Sequence, residues 1–352
     1  MHLKQLFNRQ SFDSGQPRRL TSMAAFVALP LCLIACPGSN KGAADPAPTT
    51  VSNSSENSPP PNTTESPARI TIDADRAFKH VEKQVEFGPR PAGSAQLAKT
   101  RDYLIGELKS YGLNVSTDEF TASTPVGEKR MTNVIAELPG ESKDIVVIGS
   151  HYDTKLFTKF RFVGANDSAS STAVLLEIAR ELANSKQKQI PTYRFVFFDG
   201  EEAFCEDWDE CGKPDNPDHT YGSRRFVSQL AANNEIKQVR VMILLDMIGY
   251  KNLEMGKDDM STRWLVDTIW NTARSLGYAD QFKSRPEGVG GDDHEPFLRA
   301  GIESVDLIQL GSYPYWHKAD DTLDKISPQS LKVVGDVVLA SLPKISEKFS
   351  GH

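Results

Sequence analysis

The chain has 352 residues, with 40 Lys and Arg against 47 Asp and Glu and a formal charge of −7. That balance argues against nucleic-acid binding through bulk charge, because a surface that tracks phosphates needs an excess of cations. With 39% hydrophobic residues, 17 Phe, 9 Tyr and 4 Trp, the chain can bury a large core, while its polar average excludes a polytopic membrane protein.

The first element is N-terminal. Arg18 and Arg19 precede an apolar run over 23–35, too short to span a bilayer comfortably, which ends in Leu33-Ile34-Ala35-Cys36. A basic stretch, a short apolar run and small residues at a cleavage point resemble a bacterial lipoprotein signal peptide over 1–36. The resemblance implies acylation of the Cys36 thiol and, because Pro37 follows it rather than Asp, sorting to the outer membrane with the domain facing the periplasm. A buried helix with an incidental Cys is the competing reading. Residues 37–68 are Pro, Ser, Thr, Asn and Ala with almost no apolar side chain, too little to offset ordering entropy, so a flexible tether is expected. The lipid anchor is then the sole membrane contact. Once Cys32 leaves with the signal and Cys36 is lipidated, Cys205 and Cys211 remain, and an even pair in an oxidising compartment reads as a disulfide. A metal pair is the alternative, without a further Cys or His at finger-like spacing.

Residues 69–352 form the expected catalytic domain. Helical patterns run over 73–85, 94–111, 170–184, 221–232, 262–276 and 328–349, the second capped by Ser94 and stopped at Gly112. Apolar runs rich in β-branched residues mark strands at 132–138, 145–149, 193–198, 239–245 and 304–308. Continuous apolar strands separated by helices predict a three-layer α/β/α sandwich around a mostly parallel, mixed central sheet.

In open α/β sheets, ligands bind beyond the carboxyl ends of the strands. Reactive groups follow the apolar runs here: His151-Tyr152-Asp153, Asp199-Gly200-Glu201-Glu202, Asp246, and Trp316-His317, with Asp167 just before a helix. His151, Asp167, Glu202, Asp246 and His317 are nitrogen and oxygen donors without thiolates, the mixture of catalytic zinc sites with an open position. Adjacent Glu201 and Glu202 at a strand end point in different directions, so one can bind metal while the other acts as general base. Each group taken singly has a bland reading as a solvated loop or cap; their shared edge carries the signal. Gly288-Val289-Gly290-Gly291 lacks the strand and helix of a phosphate loop and reads as a mobile turn ahead of Asp292.

From about residue 87 to 324 the chain resembles the zinc aminopeptidase superfamily that includes the animal-type glutaminyl-peptide cyclotransferases. The resemblance is carried by Phe87-Gly88-Pro89-Arg90-Pro91, Ser150-His151-Tyr152-Asp153-Thr154-Lys155, Gly164-Ala165-Asn166-Asp167-Ser168, Phe198-Asp199-Gly200-Glu201-Glu202, Leu245-Asp246-Met247, Asp292-Asp293-His294-Glu295-Pro296-Phe297 and Trp316-His317. It implies a zinc-aminopeptidase-like fold and two possible chemistries. A cyclase, an acyltransferase that turns the N-terminal Gln of a peptide or protein into pyroglutamate with loss of ammonia, would hold one zinc on Asp167, Glu202 and His317. Glu201 would be its base, Asp246 and Asp292 would join it in a proton-handling network, and Trp208 and Trp316 would line the pocket. An aminopeptidase would hold two zinc ions, the second through His151 and Asp246. Gly291 departs from the Gln of the animal cyclases, which removes one substrate contact. A non-catalytic binding lipoprotein of the same fold ranks third, since no metal ligand is lost.

Overall fold

The computed structural model of the chain describes residues 69–214 and 216–349. The expected signal segment, Cys36 and the tether lie outside them.

Asp73 opens the first helix, α1 (Ala74–Phe87), by accepting a hydrogen bond from the Arg76 amide. Ser94 caps α2 (Ala95–Ser110) in the same way through the Leu97 amide, and Gly112 at φ +79° turns the chain away from it. An antiparallel hairpin follows, β1 (Asn114–Thr124) and β2 (Gly127–Leu138). The chain continues through β3 (Ile145–His151), α3 (Ala169–Asn184), β4 (Thr192–Phe198) and the two-residue strands β5 (Gly212–Lys213) and β6 (Asn216–Pro217). Beyond them come α4 (Tyr221–Ala232), β7 (Val239–Asp246), β8 (Met255–Asp258), α5 (Arg263–Ser275), β9 (Phe282–Glu287), α6 (Glu295–Arg299), β10 (Glu303–Ile308) and α7 (Pro328–Ser346).

The central sheet has the order β1-β2-β4-β3-β7-β10. Strands β4, β3, β7 and β10 run parallel, and β2 is antiparallel to both of its neighbours. Side chains alternate across it as strand geometry requires. Val146 and Ile148 of β3 join the larger core with α1, α2, α3, α5 and α7, while Ile145 and Val147 pack with Phe226 and Leu230 of α4 and Phe297 of α6. Both faces are therefore covered, which is why these strands read as unbroken apolar runs. Burial of each such Phe or Leu contributes roughly 1.5–3 kcal/mol, and Phe198→Ala would cost about 3–5 kcal/mol by leaving a cavity.

The expected strands and helices are present, with one extension and several additions. β2 begins at Gly127 rather than residue 132, and its partner β1 was not expected. β1 is an edge strand with no buried residue, so its sequence NVSTDEFTAST shows no apolar run. The small pair β8 and β9 and the short helix α6 were also not foreseen. Cys205 and Cys211 are joined in a disulfide, as expected.

Candidate active site

Parallel strands end on one edge, so β3, β4, β7 and β10 deliver their last residues to a common place. β3 ends in His151, β7 ends in Asp246, and the two residues after β4 and its turn at Gly200 (φ +73°) are Glu201 and Glu202. The loop after β10 returns His317, and Asp167 stands just ahead of α3, where the Asp167–Ser168 peptide is cis.

Two donor sets result, and they share Asp167. In one, His317 Nε2 lies 3.2 Å from Glu202 Oε2 and 3.6 Å from Asp167 Oδ2. In the other, His151 Nε2 lies 3.1 Å from Asp246 Oδ1 and 3.3 Å from Asp167 Oδ1. The neighbouring glutamates do diverge. Glu202 faces His317, while Glu201 Oε2 is 3.7 Å from His151 Nδ1. Glu202 is oriented by the Lys155 amide, which donates to Oε1 at 3.0 Å, and its other oxygen is buried without a hydrogen bond.

These carboxyl groups are crowded out of water. Burial pushes Glu201 well above the usual carboxylate range, against the charge of His151 and with the help of Asp292, Glu202 and Asp293. Burial and the charge of Asp246 push Asp292 up to about 7. Asp246 is also raised, mainly by burial. For Asp167, burial works in the same direction, but the hydrogen bond and charge of His151 together with His317 hold it low. Burial disfavours the imidazolium of His151, and Glu201 and Asp246 outweigh it.

A zinc ion suits this donor chemistry. The donors are imidazole nitrogen and carboxylate oxygen, the negative groups outnumber the cations, and the buried Glu202 Oε2 accepts no hydrogen bond and faces His317 Nε2 within the set. The cavity above it has a volume of about 170 Å³ and is walled by Trp208 and Trp316, with Glu201, Asp246 and Asp292 also at its surface. Trp316, 38% exposed, stacks on the His317 ring at 4.2 Å, and Trp208 stacks on His219 at 4.2 Å. Gly290 and Gly291 of the glycine-rich turn line the same cavity.

Further buried groups join the site; strand-end reasoning reached Asp153 among them and missed the others. Asp321 accepts the amides of Asn166 and Asp167 at 2.8 and 3.1 Å and the Tyr313 hydroxyl at 2.6 Å, which fixes the Asp167 loop. Asp153 accepts the amides of Glu201 and Glu202. Behind Asp292, His294 Nε2 lies 3.2 Å from Asp258, and Asp306 is buried beside them. Asp306 could have been found, since it interrupts the apolar residues Val305, Leu307 and Ile308 of β10. Asp258 and His294 carry no such mark.

The model of peptidase family M28 matches residues 133–342. A cyclotransferase-like relative, the glutaminyl-peptide cyclotransferase-like protein of Bos taurus, is 31% identical over 69% of this chain and 68% of its own length. Among solved structures, the glutaminyl cyclase of an Acidobacteriales bacterium is 32% identical with a TM-score of 0.73, covering 84% of this chain and all of that one. A leucine aminopeptidase precursor from Bacteroides thetaiotaomicron is 28% identical with a TM-score of 0.70 over 77% of this chain and 96% of that one. The fold and the donor set thus define a zinc-peptidase-like protein of family M28. Within that class, the chain belongs to the glutaminyl-peptide cyclotransferase family.

Proposed function

We infer that the chain is a zinc-dependent glutaminyl-peptide cyclotransferase that acts on peptide or protein N-termini. The observation that carries this is the small cavity between Trp208 and Trp316, with Glu201 and the Asp167, Glu202 and His317 set at its floor. At about 170 Å³ the cavity is small enough to suit a single N-terminal side chain held between the two indoles.

Asp167, Glu202 and His317 would hold the zinc, which supplies a Lewis acid for the side-chain carbonyl oxygen. The α-amine of the N-terminal Gln attacks the side-chain amide carbon. A new C–N bond closes the five-membered ring, the old bond to the amide nitrogen breaks, and ammonia leaves. Glu201 takes the amine proton and passes it to the departing nitrogen, a task that suits a carboxyl whose proton affinity is raised by burial. Asp292 and Asp246 share the same buried surface and stand where they can hold that proton network together. The tryptophans hold the reacting atoms together and limit access of water, so that the amine has no competitor.

An aminopeptidase is the second reading, favoured by the complete His151, Asp167 and Asp246 set, which would take a second zinc. One experiment separates the two. Purified protein analysed for metal and assayed on Gln-Ala-amide and Leu-Ala-amide should hold one zinc and release ammonia from the first, with little leucine from the second. Two zinc ions with fast leucine release would move the assignment to aminopeptidase.

A signal peptide over 1–36, lipidation at Cys36 and a tether over 37–68 would place the domain of 69–352 on the periplasmic face of the outer membrane. The Leu33-Ile34-Ala35-Cys36 sequence supports this, and among the described residues no helix is long and apolar enough to cross a membrane. Unchanged mass and detergent partitioning in Cys36→Ser would refute the anchor.

A further inference from the structure

Arg90 is fully buried, an expensive place for a cation. Every hydrogen bond its guanidinium makes ends on a backbone carbonyl. Nη1 donates to Val163 O at 2.7 Å, and more weakly to Gln84 O and Gly88 O at 3.5 Å; Nη2 donates to Gly164 O at 3.2 Å, and Nε to Tyr152 O at 3.5 Å. The backbone of Arg90 adds a two-way tie to Thr154, its amide donating to Oγ1 at 2.9 Å and its carbonyl accepting from the Thr154 amide at 3.2 Å.

Three of the five carbonyls it holds flank the site. Tyr152 directly follows His151, and Val163 and Gly164 lie just ahead of Asp167. Gly164 adopts φ +51°, and a Cβ there would come 1.8 Å from Asp167 O, so the loop folds tightly back on itself. Its carbonyl also accepts the Ala169 amide, the first residue of α3, at 3.2 Å. One planar side chain therefore spans the chain leaving β3 and the loop that presents Asp167.

We propose that Arg90 is a positioning residue of the zinc site, fixing the loop that presents Asp167 against the chain leaving β3 so that this donor is held ready for the ion. This rests on the zinc reading above and deepens it. The acidic surroundings make the burial tolerable: burial lowers the guanidinium to about 10, and the fields of Asp321, Asp153 and Asp167 offset part of that, which leaves it charged at neutral pH. A fixed positive charge behind the site also repels a divalent cation, so positioning and electrostatics predict opposite effects of its removal. Lysine keeps the charge but is a point donor and cannot span the Val163 and Gly164 carbonyls as the planar fork does.

The test strips zinc from the holoenzyme with a chelator and measures the affinity for returning zinc by competition with a fluorescent chelator. Wild type, Arg90→Lys and Arg90→Met are compared, with urea unfolding of each zinc-free form alongside. Both variants are expected to bind zinc about 10–100-fold more weakly, the usual effect of losing a partner that orients metal ligands, with no rescue by lysine. Wild-type affinity in a folded variant, even one that unfolds in less urea, would reduce Arg90 to a structural residue and overturn the proposal. Tighter binding by Arg90→Met would overturn it in favour of simple repulsion. If Arg90→Met does not fold, Arg90→Lys decides. A wild-type chain that takes up no zinc overturns the site reading itself, an outcome distinct from normal wild-type binding with unaffected variants.

Discussion

Glu177 and Glu201 are both buried glutamates, and they behave in opposite ways. Glu177, in the middle of α3, meets Arg76 Nε at 3.0 Å, Arg180 Nη2 at 2.7 Å and His80 Nε2 at 3.5 Å. Burial pushes its carboxyl up, but the bonds to His80 and Arg180 prevail and bring it down to about 2. Glu201, at the sheet edge, has the His151 imidazole to favour its charge but stands among Asp292, Glu202 and Asp293, so burial wins and its carboxyl rises. A carboxylate surrounded by guanidinium groups is settled and serves the fold. One left among its own kind is poised to take a proton or to accept a metal ion nearby.

The largest expected effects test the poised side. Glu201→Gln keeps shape and hydrogen bonding but cannot accept the amine proton, so ammonia release should fall by about 10²–10⁴ while zinc content, measured by mass spectrometry, stays at the wild-type level. Glu202→Gln withdraws a charged donor from the ion. Zinc affinity itself should then fall, by about 10-fold or more, and excess zinc should restore part of the activity. If Glu201→Gln loses the metal and Glu202→Gln keeps it, the two roles are exchanged and the contrast drawn from their surroundings fails.

How much of this could be read from residues alone depended on how each group is buried. β3, β4, β7 and β10 are covered on both faces, so their apolar runs stand out, and the polar residues ending them mark the site by interruption. His151, Glu201, Glu202 and Asp246 were legible for that reason. β1 lies at the sheet edge with alternating half-buried and exposed residues, and its Asp118 and Glu119 hide it. β8 and β9 are short, charged and joined with a register shift, so no period survives in MGKD or FKSRPE. Arg90 and Asp321 act on backbone amides and carbonyls, and such partners leave no trace in side-chain patterning. Only the folded chain shows that Asp321 holds the Asp167 amide.

The settled side of the contrast predicts a smaller effect and a definite pH dependence. Glu177→Gln should leave ammonia release intact and lower the unfolding free energy at neutral pH by about 2–3 kcal/mol. The folded carboxyl is depressed from 4.5 to about 2. Its contribution is therefore complete above the unfolded value and disappears as pH falls toward 2. Urea unfolding of the two proteins should accordingly converge between about pH 4.5 and 2. A constant difference across that window would mean that Glu177 acts through packing, and the comparison with Glu201 would lose its electrostatic basis.

The smallest expected change in stability comes from the disulfide, although it borders the poised region. Cys205 and Cys211 are six positions apart, so the bond closes a very short loop and restricts the unfolded chain modestly, by about 2 kcal/mol or less on a chain-entropy model. That loop carries Trp208, which walls the cavity, and Lys155 Nζ donates to the carbonyls of Ala203 and Cys205 at 2.9 Å, tying the loop to the Glu202 side of the site. The constraint is thus placed where it can hold an aromatic wall rather than the core. In the double variant Cys205→Ser, Cys211→Ser, KM for a Gln-peptide should rise several-fold, while zinc content is kept and the urea midpoint moves little. A large loss of stability with unchanged KM would show that the bond serves the fold, and would put this loop with Glu177 instead of with Glu201.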